Sequence, residues 1–270
     1  MYNNIQWVVQ NNLTRPELME DLKGACQAIG VDHIEVKVVP FSDELPDFPK
    51  EKSSIFYGST TMMNNVYKDK TINSGLFFDY DRFTMEEYFK HWKHHMLNYE
   101  DGKITSFREL MKLDLPNEHL IFVRPNDDSK SFCGEIIEFG RIETWYKGLV
   151  SFENVNLDLD TKIVSCDPYN ILKEWRLWIV DKKVVGASQY KDGHQLKKLK
   201  DVPIEVIEFA EARCQEYTPH DIFVMDICLC TGELFILECG CMNSAGFYAA
   251  DVYGIVKSVT DYYENLKNKI

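Results

Sequence analysis

The chain has 270 residues, of which 45% are hydrophobic, enough for a sizeable core in one or two domains. Asp and Glu (43) outnumber Lys and Arg (30), and the net charge of -13 argues against a surface that coats nucleic acid or an anionic membrane. No apolar run approaches the roughly 20 residues that span a bilayer, and no signal peptide is visible at the start, so we expect a cytoplasmic protein with neither nucleic acid nor membrane as a partner.

The first part of the chain alternates predicted strands and helices. Strands are expected at 5–9, 34–39 and 54–57, and helices at 18–29, 60–67 and 84–97. The last of these helices begins with a capping box, because Thr84 is followed three residues later by Glu87. This order of elements is typical of a small α/β unit with a partly parallel sheet.

The pattern changes around residues 114–117, where we place a domain boundary. Beyond it, strands are predicted at 120–123, 133–137 and 162–165, followed by a hairpin of 174–180 with 184–190. Helices are predicted at 203–217 and 249–267. Strands joined in hairpins pair antiparallel, so the second part is predicted to be α+β with mostly antiparallel sheets.

An apolar hairpin near the C-terminus carries one acid on each strand, Asp226 and Glu238. If Cys230 pairs with Leu234, the two acids lie opposite each other on one face of the sheet. Carboxylates so placed repel, and a hard cation such as Mg²⁺ between them would relieve the repulsion, with Asn243 as a further oxygen ligand. The alternative is a solvated sheet face, since acids are usually exposed.

The eight cysteines are expected to be reduced and mostly buried. Two C-x-C pairs suggest zinc, but Cys228 and Cys230 would share the face of the acids while Cys239 points to the other face, so four sulfurs do not converge. His91 and His95 would share a helix face, yet no third ligand is suggested, and an exposed polar face is the better interpretation.

Two further segments place charges in or beside predicted strands. Arg124 ends a strand and is followed by a polar turn with Lys130, an arrangement that suits a polyphosphate, although a solvated turn is an alternative. Neither GxxxxGK[ST] nor GxGxxG occurs. Glu174 and Arg176 share a strand face, as a structural ion pair or as an arginine able to stabilise a transferred phosphoryl group.

The order of these features resembles the ATP-grasp superfamily. The features are Arg-Pro with a lysine loop, Glu-x-Arg in a hairpin, Asp226, and Glu238 with a downstream asparagine. The tail Asn243-Ser244-Ala245-Gly246-Phe247-Tyr248 is similar to the N-[SA]-[SA]-G-F-Y tail of small phage and bacterial members. The resemblance covers about 120–270 and implies a pre-ATP-grasp-like α/β domain at 1–115. It further implies an ATP-grasp domain at 116–270, with subdomains at 116–165 and 166–270.

The resemblance also implies ATP as a cofactor and a set of residues that bind it. Arg124 and Lys130 would contact phosphates, and Lys130 would also take part in catalysis. Ser165 and Cys166 would lie at the hinge that offers backbone groups to adenine. Glu174 would belong to the nucleotide site through its Glu-x-Arg pair.

The remaining implied roles concern catalysis and Mg²⁺. Arg176 would face the γ-phosphate as a catalytic residue, and Asp226 and Glu238 would hold Mg²⁺ between phosphate oxygens. Many members have Glu-x-Asn, whereas this chain has Gly240 at that place, so we assign the third metal ligand to Asn243.

The implied reaction is carboxylate–amine ligation through an acyl phosphate. The substrates would be a small molecule, a peptide or a protein terminus that carries a carboxylate, together with an amine acceptor. Two alternatives remain at this stage: an ATP-grasp phosphotransferase that passes the γ-phosphate to a hydroxyl, and a nucleotide-binding module without turnover.

Overall fold

The computed structural model describes residues 2–13, 16–40, 42–128, 131–151 and 157–267. Its helices are α1 (Pro16–Ile29), α2 (Thr60–Lys68), α3 (Met85–Trp92), α4 (Phe107–Leu110), α5 (Ile142–Val150), α6 (Ile204–Glu216) and α7 (Val252–Lys267). Its strands are β1 (Ile5–Gln10), β2 (Asp32–Val36), β3 (Ser53–Tyr57), β4 (Lys103–Ser106), β5 (Leu120–Pro125), β6 (Glu135–Glu138), β7 (Lys162–Cys166), β8 (Ile171–Val180), β9 (Lys183–Asp192), β10 (Gln195–Leu199), β11 (Ile222–Cys230) and β12 (Glu233–Gly240).

The first sheet is parallel, with the strand order β2-β1-β3. Its central strand β1 is buried along its whole length, as expected for a parallel strand covered on both faces. Trp7 and Val9 pack into the core that contains α1 and α7, whereas Val8 packs into a second core on the other face with residues of α2. The predicted partly parallel α/β unit is confirmed.

The second sheet is antiparallel, with the strand order β4-β7-β5-β6. Its core includes Phe107, Val123 and Ile142, which come from α4, β5 and α5. Strand β4 precedes the boundary expected at 115/116, yet it pairs with β7. That domain division stays a prediction.

The third sheet is antiparallel, with the strand order β10-β9-β8-β11-β12. Alternate residues of β11 enter different cores: Val224 packs with α7, whereas Phe223 and Met225 pack with α3 and α6. Strand β11 therefore lies at the centre of the molecule, with its side chains held from both faces. The predicted fold class, α/β followed by α+β with mostly antiparallel sheets, is confirmed.

Several predicted boundaries need correction. The helix predicted at 84–97 ends at Trp92, because Lys93 adopts a φ of 47° and a short 3-10 turn follows. The final helix begins at Val252 rather than at 249, and β2 ends at Val36 rather than at 39. Sequence patterns did not reveal β4, β10 or α5.

Candidate active site

The hairpin of β11 and β12 brings the two predicted acids face to face. Asp226 is paired directly with Glu238, as predicted. The route to this alignment differs from the prediction, because Cys230 pairs with Glu233 across a turn of two residues with positive φ. A bulge that leaves Leu237 as the extra residue restores the alignment of the acids.

Asp226 forms a bidentate ion pair with Arg176 on the neighbouring strand β8. Arg176 Nε lies 2.8 Å from Asp226 Oδ1, and Nη2 lies 2.7 Å from Oδ2. Burial raises the pKa of the Asp226 carboxyl, and Arg176 opposes this rise. Burial would lower the pKa of the Arg176 guanidinium, but Asp226 raises it well above its usual value. The arginine therefore keeps its charge, and removing it would leave a buried carboxylate uncompensated.

Glu238 is held by a second arginine, which comes from the other antiparallel sheet. Arg124 on β5 forms an ion pair with Glu238 and donates a hydrogen bond of 3.2 Å to the carbonyl oxygen of Leu237. Burial would lower the pKa of the Arg124 guanidinium, but Glu238 raises it. The bulge thus supplies a backbone acceptor, and Arg124 connects the two sheets beside the acids.

Glu174 is the third acid on this face, and it is buried. Lys191 Nζ lies 2.7 Å from Glu174 Oε1, and the Tyr190 hydroxyl donates to Glu174 Oε2 at 2.6 Å. The same hydroxyl lies 3.4 Å from Asp226 Oδ2. Burial, reinforced by both carboxylates, raises the pKa of Tyr190 well above its usual value, so the hydroxyl remains a donor.

An aromatic pair lies beside Arg176. The rings of Tyr190 and Tyr248 are stacked with their centroids 4.9 Å apart. Arg176 Cζ lies 5.3 Å from the Tyr248 centroid and 5.8 Å from that of Tyr190. These distances are within the range of cation–π attraction, so the rings restrict the guanidinium on the side away from Asp226.

A cavity of about 340 Å³ lies between the two antiparallel sheets and reaches these charges. Its polar end is lined by Arg124, Glu174 and Lys191, and Cys166 lines another part of its wall. Burial raises the pKa of the Cys166 thiol to about 12, so the thiol is protonated at neutral pH. Ser165 instead lines a second cavity with Cys166. Apolar walls with cations at one end suit a flat base joined to phosphates.

The link between β7 and β8 is anchored by a residue that the sequence patterns did not reveal. Asp101 Oδ2 accepts a hydrogen bond of 2.8 Å from the backbone N–H of Asp167, and the Tyr169 hydroxyl donates to Asp101 Oδ1. Tyr169 lines the cavity. Asp101 therefore holds the hinge segment against the cavity wall.

Asn243 is not brought to the acids. Its side chain is fully buried, and its Oδ1 accepts from the backbone N–H of Phe77 at 2.8 Å. Its Nδ2 donates to the carbonyl oxygens of Phe56 at 2.6 Å and Gly75 at 2.8 Å. These bonds satisfy the amide and tie the tail to the first sheet, so the contacts do not support the predicted metal ligand. Lys130, the predicted loop lysine, lies outside the described residues.

Two carboxylates remain for a metal ion. Across the described ranges, no three His, Cys, Asp or Glu side chains are grouped as metal ligands. Mg²⁺ in phosphate sites commonly takes one or two protein carboxylates and completes its shell with phosphate oxygens and water. Asp226 and Glu238 fit that donor set, provided that Arg124 and Arg176 turn from the acids to the phosphates.

The two histidines that would share a helix face are separated because α3 ends at Trp92. His91 Nε2 lies 3.3 Å from Glu87 Oε2, and its ring stacks on Tyr217 with the centroids 4.2 Å apart. His95 instead contacts Arg213 at 2.6 Å. Both histidines thus have local packing roles.

Three functional candidates escaped the sequence analysis. Tyr190 and Lys191 lie on β9, and the register that places Lys191 opposite Glu174 includes a bulge that sequence spacing does not show. Asp128 accepts a hydrogen bond of 2.9 Å from the backbone N–H of Cys241, so the loop after β5 contacts the end of β12. A membrane-spanning helix was also sought, and none of the described helices has the necessary length and apolar character.

A family model for an ATP-grasp domain, described as family 2 of its clade, matches residues 103–257. A comparison with curated proteins found no match. Among solved structures, D-cycloserine synthetase DcsG is similar with a TM-score of 0.62 and 11% identity, over 96% of this chain and 99% of that chain. D-alanine–D-alanine ligase from Bacillus anthracis is similar with a TM-score of 0.55 and 10% identity, over 98% and 99%.

ATP-grasp ligase PsnB, in a complex with a precursor variant, Mg and ADP, is similar with a TM-score of 0.55 and 9% identity, over 96% and 98%. These identities are low, so the three structural likenesses establish the fold alone.

Proposed function

The chain belongs to the ATP-grasp domain family whose model it matches, and from this premise we propose that it is an ATP- and Mg²⁺-dependent carboxylate–amine ligase. One observation carries the proposal: each of two facing acids, Asp226 and Glu238, is paired with an arginine at the polar end of the cavity. Opposed carboxylates with cationic side chains beside them can exchange these cations for a metal and a polyphosphate.

We infer that the nucleotide lies along the cavity between the sheets. The base would lie against the hinge beside Cys166, with Ser165 on the same strand. The phosphates would reach Arg124 and Lys191, and the predicted Lys130 would contact them from its loop. This orientation is supported by the lining, which places Arg124 and Lys191 in the same cavity as Cys166.

The proposed reaction has two group transfers. An oxygen of the substrate carboxylate attacks the γ-phosphorus, the bond from that phosphorus to the bridging oxygen breaks, and ADP leaves with an acyl phosphate formed. The amine nitrogen then attacks the acyl carbon, the carbon–oxygen bond to phosphate breaks, and the amine loses a proton. The products are an amide, inorganic phosphate and ADP.

Arg176 is the residue expected to stabilise charge during the first transfer. Freed from Asp226, its guanidinium presents parallel N–H donors to the oxygens of the transferring phosphoryl group. Glu174 positions this face of the sheet through Tyr190 and Lys191. When bound at Asp226 and Glu238, Mg²⁺ would neutralise charge on the phosphate oxygens.

The class of substrate is inferred from the family and from neighbours of the same fold. One neighbour is named as a D-alanine–D-alanine ligase, and another was solved with a precursor peptide. These names support a carboxylate on a small molecule, a peptide or a protein terminus, with an amine as acceptor.

The test measures ADP release with carboxylate and amine candidates supplied singly and together, with mass spectrometry of the products. A ligase releases ADP at its full rate only with both, and hydroxylamine traps the activated carboxylate as a hydroxamate. A stable phosphorylated product that forms without an amine would contradict the proposal and indicate a phosphotransferase.

A matched pair of arginine variants makes the test specific to the site. Arg176→Ala removes a buried bidentate arginine, whereas Arg108→Ala removes an exposed arginine that pairs with Asp160 in the same bidentate manner. Hydroxamate formation should fall in the first variant and persist in the second.

A further inference from the structure

A second cavity, of about 440 Å³, lies where α1 meets the segment 248–253 that leads into α7. Gly24, Ala25 and Ala28 of α1 form one side, and Ala249 and Ala250 lie on the facing segment. Its volume falls within the usual range for small-molecule sites. The cavity is distinct from the one between the antiparallel sheets, which holds the proposed nucleotide site.

This second cavity shares one wall with the reaction centre. Tyr248 lines it and also lies 5.3 Å from the Arg176 guanidinium, while its ring stacks on Tyr190. Tyr248 has a φ of 53°, a left-handed conformation that an aromatic residue adopts only when its surroundings impose it. The tail is thus bent so that one ring separates the cavity from the arginine that faces the phosphoryl group.

The cavity also carries charges of both signs. Lys200 lies on one side, and Asp21 and Asp251 also line it. Within the part of the chain that the structure describes, none of these three side chains forms a salt bridge or a side-chain hydrogen bond, although ion pairs are frequent elsewhere on the surface. A compact ligand with one carboxylate and one ammonium group would pair with both kinds of charge.

We propose that this cavity binds a free α-amino acid as one of the two substrates of the ligation. The inference rests on the proposed function, because an amino acid beside Arg176 has a purpose only if phosphoryl transfer occurs there. A peptide or protein terminus would present only one of the two charges, so the unpaired charges of both signs favour the free amino acid.

Gly24 provides a way to block the cavity. A Cβ at Gly24 would meet no atom within 4 Å, so a larger side chain has space there and would occupy the cavity that Gly24 lines. Gly148 in α5 is a matched control, because its Cβ would also meet nothing within 4 Å and it lines neither cavity. Both positions are helical, so each substitution also replaces a helix-destabilising glycine and should not unfold the protein.

The experiment compares wild type, Gly24→Phe, Gly148→Phe and Lys200→Gln, with a panel of free L- and D-α-amino acids as probes of ADP release. We expect at least one amino acid to stimulate wild type and Gly148→Phe equally. In Gly24→Phe, the concentration for half-maximal stimulation should rise about tenfold or more, because the filled pocket excludes the ligand. Lys200→Gln should raise it less, and the KM for ATP should not change in any variant.

The outcomes separate this inference from the proposed function. Equal stimulation of Gly24→Phe and wild type, or stimulation by peptides but by no free amino acid, would overturn the amino acid site and leave the ligase proposal standing. Absence of Mg-ATP binding by wild type would overturn both.

Discussion

Replacing Asn243 by aspartate distinguishes a structural amide from a metal ligand. The amide donates from Nδ2 to two buried carbonyl oxygens at 2.6 and 2.8 Å, and an aspartate has no donor at that position. The variant leaves two buried carbonyl groups unpaired and places a carboxylate oxygen against them. At about 1–3 kcal/mol for each unpaired group, the loss is about 3–5 kcal/mol of the free energy of unfolding.

The assay is thermal unfolding followed by circular dichroism. A loss of this size lowers Tm by roughly 6–15 °C in a chain of this length, since each kcal/mol corresponds to about 2–4 °C. Asn3→Asp is the control, because it makes the same charge change at an exposed position. An unchanged Tm for Asn243→Asp, together with Mg²⁺-dependent ADP binding that is retained or tightened, would refute the reasoning and restore Asn243 as a metal ligand.

Three further predictions concern the hinge, the arginine and the first sheet. Asp101→Ala releases the N–H of Asp167 and should raise the KM for ATP about tenfold, near the value of one charge-assisted hydrogen bond, with kcat unchanged; an unchanged KM would contradict the anchoring role. Arg176→Ala should lower kcat more than nucleotide affinity, and steady-state kinetics showing a loss of affinity alone would contradict its assigned role. Gly75→Ala should prevent stable folding, because its Cβ would lie 1.6 Å from the carbonyl oxygen of Ser54; a Tm equal to wild type would contradict this.

The facing acids could be predicted because strand alternation and a short turn determine them. The register of the turn could not, since a shift of one residue at Cys230 is offset by the bulge at Leu237, and composition does not reveal such compensation. The contact of Arg124 with Glu238 joins two sheets that are far apart in sequence, and only the packed fold brings them together.

Asn243 shows why a motif can be found while its role is misjudged. An amide near two acids suggests a metal ligand, but the sequence does not show that the backbone groups of Phe56 and Gly75 come within reach of it. Burial decided between the two roles, because an unsatisfied carbonyl in the core is more costly than a missing ligand at a site that phosphates and water can complete.

The central claim is that Asp226 and Glu238 bind Mg²⁺ together with the nucleotide. It is tested most directly by calorimetric titration of ADP, with and without Mg²⁺, into wild type, Asp226→Asn and Glu238→Gln, each first shown to be folded. The account predicts that Mg²⁺ strengthens ADP binding to wild type about tenfold or more and that both variants lose this gain. The same gain in either folded variant would contradict the assignment of that acid to the metal.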